Sequence, residues 1–286
     1  KNIFLKNKYK IITWGIYNLI PFKKSSQLCI FHGFPSFRQQ GFLRFILNLF
    51  TIFVCKFRNS CSISISKYVH SILLDVYSFK TKVIRNSIPL SVINNSLRID
   101  EKNYLKKIDI TFLGRPTKFK FPLQMVNHIK YLSKKNYKVS IIGKSKYLDS
   151  LKNKFKDENI TLHGNLEYES IRNILIDSKL IFNCSDSEPF GLIYLEALYN
   201  FCHIFSPRSG GALEIYSLLP EEIKPFFTFY DDLENSLHLL EKTIISSKEN
   251  IKEISKNNFN LRKELELNFS NEKQIINLLS CFRDSR

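Results

Sequence analysis

The feature that most constrains this chain is a regular alternation that begins near residue 108. Short β-branched or aromatic runs are each followed by a longer helical segment: Ile108 to Leu113 then Leu123 to Lys135, Lys138 to Ile142 then Tyr147 to Phe155, Ile160 to His163 then Tyr168 to Asp177. The order continues with Leu180 to Cys184 then Gly191 to Tyr199, His203 to Phe205 then Gly211 to Leu218, and Phe226 to Phe229 then Leu233 to Ser246. Strand-helix units repeated in this way bury their apolar residues as a parallel sheet covered on both faces. The alternation therefore predicts a doubly wound α/β domain, in which ligands bind beyond the carboxyl ends of the strands.

Before residue 108 the pattern is patchier. Gln27 to Phe31 and Ser62 to Ser66 read as strands and Lys82 to Arg85 as a short third, with helices over Gly41 to Phe57 and Lys67 to Tyr77; Asn86, Ser87 and Pro89 then punctuate the exit. About three strands are fewer than a doubly wound half provides. Charge sharpens the contrast: residues 1–108 hold 18 Lys and Arg against 3 Asp and Glu, the first of them Asp75, whereas residues 109–286 hold 25 against 23. A length of 286 suits one large or two ordinary domains, and the break favours two. We expect a short basic domain over 1–107, a second over 108–247, and polar-faced helices over 248–286 packing back across the domains.

The 44% hydrophobic content with only 9 Gly and 9 Pro excludes a disordered or collagen-like chain. Six cysteines without C-x-x-C pairing or metal-ligand spacing read as buried thiols of a reducing cytoplasm. The longest apolar stretch, Phe45 to Cys55, is flanked by Arg44 and Lys56 and is too short to span a bilayer. It fits a buried helix, the preferred reading because apolar helices of α/β domains are usually core, or one lying at a membrane surface.

The sharpest chemical feature is Glu188-Pro189-Phe190-Gly191-Leu192-Ile-Tyr-Leu-Glu196. The pattern puts Glu188 in the loop Ser185 to Pro189 and starts the helix near Phe190 or Gly191. Unpaired N–H groups and the helix dipole favour an anion at that start, and Glu196, on the second turn, is placed to accept hydrogen bonds from a vicinal diol. Taken alone, Glu188 is equally an electrostatic helix-start residue and Glu196 a solvated one. The first strand of the regular half runs into Gly114-Arg115-Pro-Thr-Lys118-Phe-Lys120. A guanidinium and an ammonium at a strand's carboxyl end stabilise the charge that gathers on a departing diphosphate, though either alone reads as a solvated loop cation. Ser209-Gly210-Gly211-Ala-Leu-Glu214 is a third strand-to-helix turn, with two residues that let backbone approach a ligand; Glu214 is also a candidate cap.

These motifs, with Ile141-Ile142-Gly143 and His163-Gly164-Asn165, stand in order over some 140 residues and resemble the nucleotide-sugar-binding domain of retaining GT-B glycosyltransferases of family 4, the glycosyl transferases group 1. The resemblance implies an α/β, GT-B-like fold of two doubly wound Rossmann-like domains, the first incomplete. It implies that Arg115 and Lys120 bind the donor diphosphate, that Glu188 contacts the donor sugar, that the backbone around Phe190 to Leu192 meets sugar and phosphate, and that Glu196 holds the ribose. Gly114, Gly143, Pro189, Gly191, Gly210 and Gly211 complete the implied donor site. Where the family has a small-Gly-x-Pro turn after the Glu-Ala helix, this chain has Tyr199-Asn-Phe-Cys-His203.

In the first domain, Leu28-Cys-Ile-Phe-His32-Gly33 is similar to the strand that places a histidine near the donor sugar, so His32 joins Glu188, Arg115 and Lys120 as a candidate catalytic residue. Ser64-Ile-Ser66-Lys67 and Val83-Ile-Arg-Asn86 resemble later family segments more weakly. The family's opening strand-helix units and glycine-rich acceptor loop have no counterpart, which points to a chain truncated upstream of Lys1 or a shortened protein.

The expected activity is a retaining transferase that uses a nucleotide-diphosphate sugar as co-substrate and needs no cofactor and no metal, since no D-x-D pair ends a strand. Its partners would be the donor, a glycan or lipid-linked acceptor, and an anionic membrane surface; nucleic acid is not expected, because the basic residues are scattered without an RNA or DNA motif. The alternative is a non-catalytic nucleotide-sugar-binding or scaffold protein. Analogy points to bacterial surface polysaccharide, such as lipopolysaccharide, O-antigen or capsule, and to the cytoplasmic face of the plasma membrane.

Overall fold

Strands of a doubly covered sheet are apolar along their whole length, and Val139–Ile142 is buried at all four of its positions. The computed structural model describes residues 11–14, 18, 27–36, 40–58, 61–94, 106–256 and 261–284. They fall into two units, Lys1–Ser87 with Phe269–Arg286, and Ile88–Asn268. The division runs ahead of the charge break near residue 108, and the last helix returns to the first unit.

The first unit holds a parallel sheet of β1 (Ile11–Trp14), β2 (Gln27–Phe31), β3 (Cys61–Ser64) and β4 (Lys82–Val83), in that order. β1 is a strand that the sequence reading passed over. Helix α1 (Phe42–Phe57) joins β2 to β3. Helix α2 (Lys67–Tyr77) starts where the Ser66 hydroxyl accepts the Val69 N–H at 3.0 Å, a local cap. Leu28, Ile63 and Ile84 form the core with Cys281, and the Ser87 hydroxyl donates to Asn271 Oδ1 at 2.7 Å. The buried reading of the apolar helix needs correction: α1 buries Thr51, Ile52 and Cys55, while its opposite face is exposed. Among the described residues no helix is long and apolar enough to cross a membrane.

The second unit opens with α3 (Leu90–Asn94) and carries β5 (Ile108–Leu113), α4 (Leu123–Lys134), β6 (Val139–Ile142), α5 (Lys146–Leu151) and β7 (Ile160–Gly164). It continues with α6 (Tyr168–Asp177), β8 (Ser178–Phe182), α7 (Leu192–Tyr199), β9 (His203–Pro207), α8 (Gly210–Leu218), β10 (Phe227–Tyr230), α9 (Leu237–Lys256) and α10 (Leu261–Asn268). Helix α11 (Asn271–Asp284) lies in the first unit. The six strands are all parallel in the order β10-β9-β8-β5-β6-β7. Alternate strand residues Ile110, Phe112, Leu180 and Phe182 meet Met125, Ile129 and Leu132 of α4 and Leu240 and Ile244 of α9 in one continuous core. The Thr111 and Ser178 hydroxyls pair at 2.6 Å between β5 and β8.

Two parallel sheets with helical crossovers make the chain an α/β protein of Rossmann-like units. One junction differs from the sequence reading. β8 begins at Ser178 and ends at Phe182, two residues ahead of the expected strand; the Asn183 N–H still donates to the Phe205 carbonyl of β9 at 2.9 Å, while its side chain turns to Tyr194. All six cysteines are free thiols, five of them buried and Cys61 half-buried.

Candidate functional site

β5 and β8 are neighbours at the point where the strand order reverses, one running outward through β6 and β7 and the other through β9 and β10. Loops after such a pair diverge and leave a crevice at the carboxyl edge of the sheet. Three glycines build its floor. The Gly114 N–H donates to the Ile142 carbonyl at 3.1 Å, and the Gly143 N–H to the Gly164 carbonyl at 2.7 Å. A Cβ on Gly143 would stand 2.0 Å from the Gly114 carbonyl oxygen, so the ends of β5 and β6 meet at a distance that excludes a side chain.

From Gly114 the loop exposes Arg115, which makes no ion pair among the described residues, and buries Pro116. Phe121 is fully buried and meets Phe112 edge-on at 4.7 Å and Phe155 at 6.0 Å. This anchor fixes the position of Lys120, whose ammonium lies 2.9 Å from Glu188 Oε2. A cation from the loop after β5 and a carboxylate from the loop after β8 thus join across the crevice.

Gly191 takes the left-handed conformation (φ 87) just ahead of α7, two residues later than the earliest start the sequence allowed, and a Cβ there would lie 2.3 Å from the Tyr194 ring. The Gly211 N–H at the start of α8 donates to the Glu188 carbonyl at 3.0 Å, and a Cβ on Gly211 would sit 2.5 Å from the Phe190 carbonyl oxygen. Beneath the loop, the Tyr194 hydroxyl pairs with Ser206 Oγ at 3.0 Å and with the Asn183 amide, and the Tyr230 hydroxyl donates to the Asn183 carbonyl at 3.0 Å. Burial raises the Tyr194 pKa, so the phenol stays neutral and rigidifies the loop rather than titrating.

Glu196 lies one turn into α7. Burial of its carboxyl raises the pKa from 4.5 to about 7. Tyr168, at the start of α6, feels that carboxylate: its pKa is raised first by burial and then by Glu196, and its buried hydroxyl has no hydrogen-bond partner among the described residues. The buried Nη2 of Arg172, one turn further along α6, also lacks one.

Of the residues singled out from sequence, Gly114, Lys120, Gly143, Glu188, Phe190, Gly191 and Gly211 come together through the contacts above. Pro189, Leu192 and Gly210 flank them, half-buried. Ser209, not Glu214, occupies the cap position of α8, and Glu214 is buried inside the helix. His32 stands in the first unit, exposed just past the end of β2. Asn183, Tyr194, Ser206 and Tyr168 escaped the sequence reading; the signal for the first was a polar residue ending an apolar strand run.

Residues 94–219 match the glycosyl transferases group 1 family. The match holds the crevice from Gly114 to Gly211. No curated protein matches the sequence significantly. Among solved structures, a glycosyltransferase from Rickettsia africae ESF-5 is 18% identical, aligning over 91% of this chain and 70% of its own with a TM-score of 0.63. HepE from Anabaena in complex with UDP-glucose is 16% identical over 89% and 72% of the two chains, TM-score 0.66. WaaG, a glycosyltransferase involved in lipopolysaccharide biosynthesis, is 11% identical over 88% and 79%, TM-score 0.61. At these identities the likeness shows the fold alone, a GT-B-like arrangement of Rossmann-like units.

Proposed function

We propose that the chain transfers a sugar from a nucleotide-diphosphate sugar to a hydroxyl of a glycan or lipid-linked acceptor, with retention at the anomeric carbon. The observation that carries this reading is the Lys120–Glu188 pair across the sheet's crevice, beside the exposed Arg115 and the start of α7. As the bond between sugar and diphosphate breaks, negative charge collects on the departing phosphate. Arg115, Lys120 and the free N–H groups of α7 neutralise it where it develops, without a metal ion. Glu196 accepts hydrogen bonds from the ribose, and the Tyr168 hydroxyl, without a partner among the described residues, supplies a further contact to the nucleoside. Glu188 holds the donor sugar. Retention follows from the family resemblance.

A role in bacterial surface polysaccharide assembly is supported by the resemblance and by the lipopolysaccharide-linked likeness to WaaG. Work on a lipid-linked acceptor would place the protein at the cytoplasmic face of the plasma membrane, which suits the basic first 108 residues. The test is a binding and transfer assay across a panel of nucleotide sugars. A donor bound by the wild type and about tenfold or more weaker with Lys120→Ala supports the reading; a protein that binds none of the panel and turns none over overturns it.

A further inference from the structure

Six large apolar side chains of α1, Phe42, Leu43, Ile46, Phe50, Phe53 and Phe57, are exposed, Phe53 at 64% and Phe57 at 83%. At about 100° per residue they fall within one arc of roughly 100°, opposite the buried Thr51, Ile52 and Cys55. The Phe53 and Phe57 rings stack at 6.5 Å centroid separation and so extend the stripe. A contiguous apolar face of this kind on a folded chain marks a contact surface.

We infer that this face of α1 inserts into the interfacial layer of an anionic lipid bilayer. Charge identifies the occupant. α1 carries no acidic residue, Lys56 and Arg58 stand at the two edges of the stripe, and residues 1–87 of the same unit hold 14 basic side chains against 1 acidic. Within the arc there is no side-chain donor or acceptor to specify a protein partner by hydrogen bonds. Phenylalanines in a layer of acyl chains need none, while the basic edges reach the phosphate headgroups. The inference rests on the membrane-facing part of the proposed function and names the element that performs it.

The experiment sediments the full chain with phosphatidylglycerol-containing vesicles and with pure phosphatidylcholine vesicles, at low and high salt. Expected is binding to the anionic vesicles that partly survives high salt. F53S/F57S, at two exposed positions, should weaken it about tenfold or more, and K56E/R58E should remove the preference for anionic lipid. Absence of binding overturns the inference, as does binding that salt abolishes completely or that F53S/F57S leaves unchanged, since charge alone would then account for it. A concentration-dependent dimer lost in F53S/F57S overturns it too, by assigning the face to a second copy. Nucleotide-sugar binding, measured on the same variants, reads the donor site separately, so either conclusion can fail while the other stands.

Discussion

The Lys120 ammonium lies 2.9 Å from the Glu188 carboxylate, 68 residues away in sequence, with 42% and 15% of the two side chains exposed. A pair this open adds little to stability. It instead holds a cation at the crevice ready to exchange a carboxylate for a phosphate. Lys120→Ala is therefore expected to weaken nucleotide-diphosphate-sugar binding about tenfold or more, the value of a charged hydrogen bond. The thermal midpoint should move by no more than about 2 °C. Arg115→Ala should act in the same direction. Titration calorimetry and a melting curve on each variant check both parts.

Glu196 gives a pH dependence with a defined sign. Its folded pKa, about 7, exceeds the ordinary 4.5 because burial favours the neutral acid. The folded chain holds a proton that the unfolded chain releases. This contribution to stability is complete below pH 4.5 and is lost as pH rises through 7. Glu196→Gln, neutral throughout, should be more stable than the wild type at pH 8 by up to about 3 kcal/mol, with the difference shrinking toward pH 5. Donor binding should run the other way: ribose hydroxyls donate best to the ionised carboxylate, so wild-type affinity rises from pH 6 to 8 while that of Glu196→Gln stays flat and low. Denaturant titrations and nucleotide binding across this range check the two signs.

Gly211 tests whether close packing shapes the acidic loop. Its backbone is ordinary, so alanine there meets no conformational penalty, only the Phe190 and Glu188 carbonyl oxygens at 2.5 and 2.7 Å from the new Cβ. Those carbonyls must move, and Glu188 with them. Gly211→Ala is expected to lower donor affinity about tenfold or more and stability by about 1–3 kcal/mol. An alanine variant with wild-type donor affinity would show that the loop's position does not depend on this contact.

Much of this was legible because the physics is periodic. Tyr168–Asp177 and Lys67–Tyr77 coincide with their predicted spans, since apolar spacing and the Ser66 cap are both local signals. The two glutamates were legible because they straddle a glycine that turns strand into helix. What escaped depended on distant partners. β1 is only Ile-Ile-Thr-Trp, a strand because β2 lies beside it. The side of α1 left bare runs against its own pattern: Arg44, Asn48 and Thr51 lie opposite the phenylalanine stripe, so spacing alone would have buried the stripe. Tyr168 looked like any amphipathic helix residue until α7 placed Glu196 near its hydroxyl.

Lys106 shows the same dependence on distance, and removing it is the sharpest test of the second unit's assembly. Its ammonium is buried although its stem is partly exposed, and it donates to three carbonyls: Ile176 at 3.1 Å, Ser178 at 2.7 Å and Asn200 at 2.9 Å. These close the carboxyl ends of α6 and α7, where the last carbonyls of a helix lack partners and a cation is favoured by the dipole. Burial lowers the pKa of Lys106, a shift opposed by Cys202 and Asp177 nearby. Lys106→Met preserves the stem and removes the charge, leaving three carbonyls without that donor. The expected loss is about 3 kcal/mol, read as a fall of roughly 6–12 °C in the melting midpoint of the second unit. Donor affinity of the folded variant should stay within about twofold, because Lys106 serves the opposite ends of the two helices from Tyr168 and the Gly191 turn. A variant that melts like the wild type would mean that water replaces the ammonium at no cost.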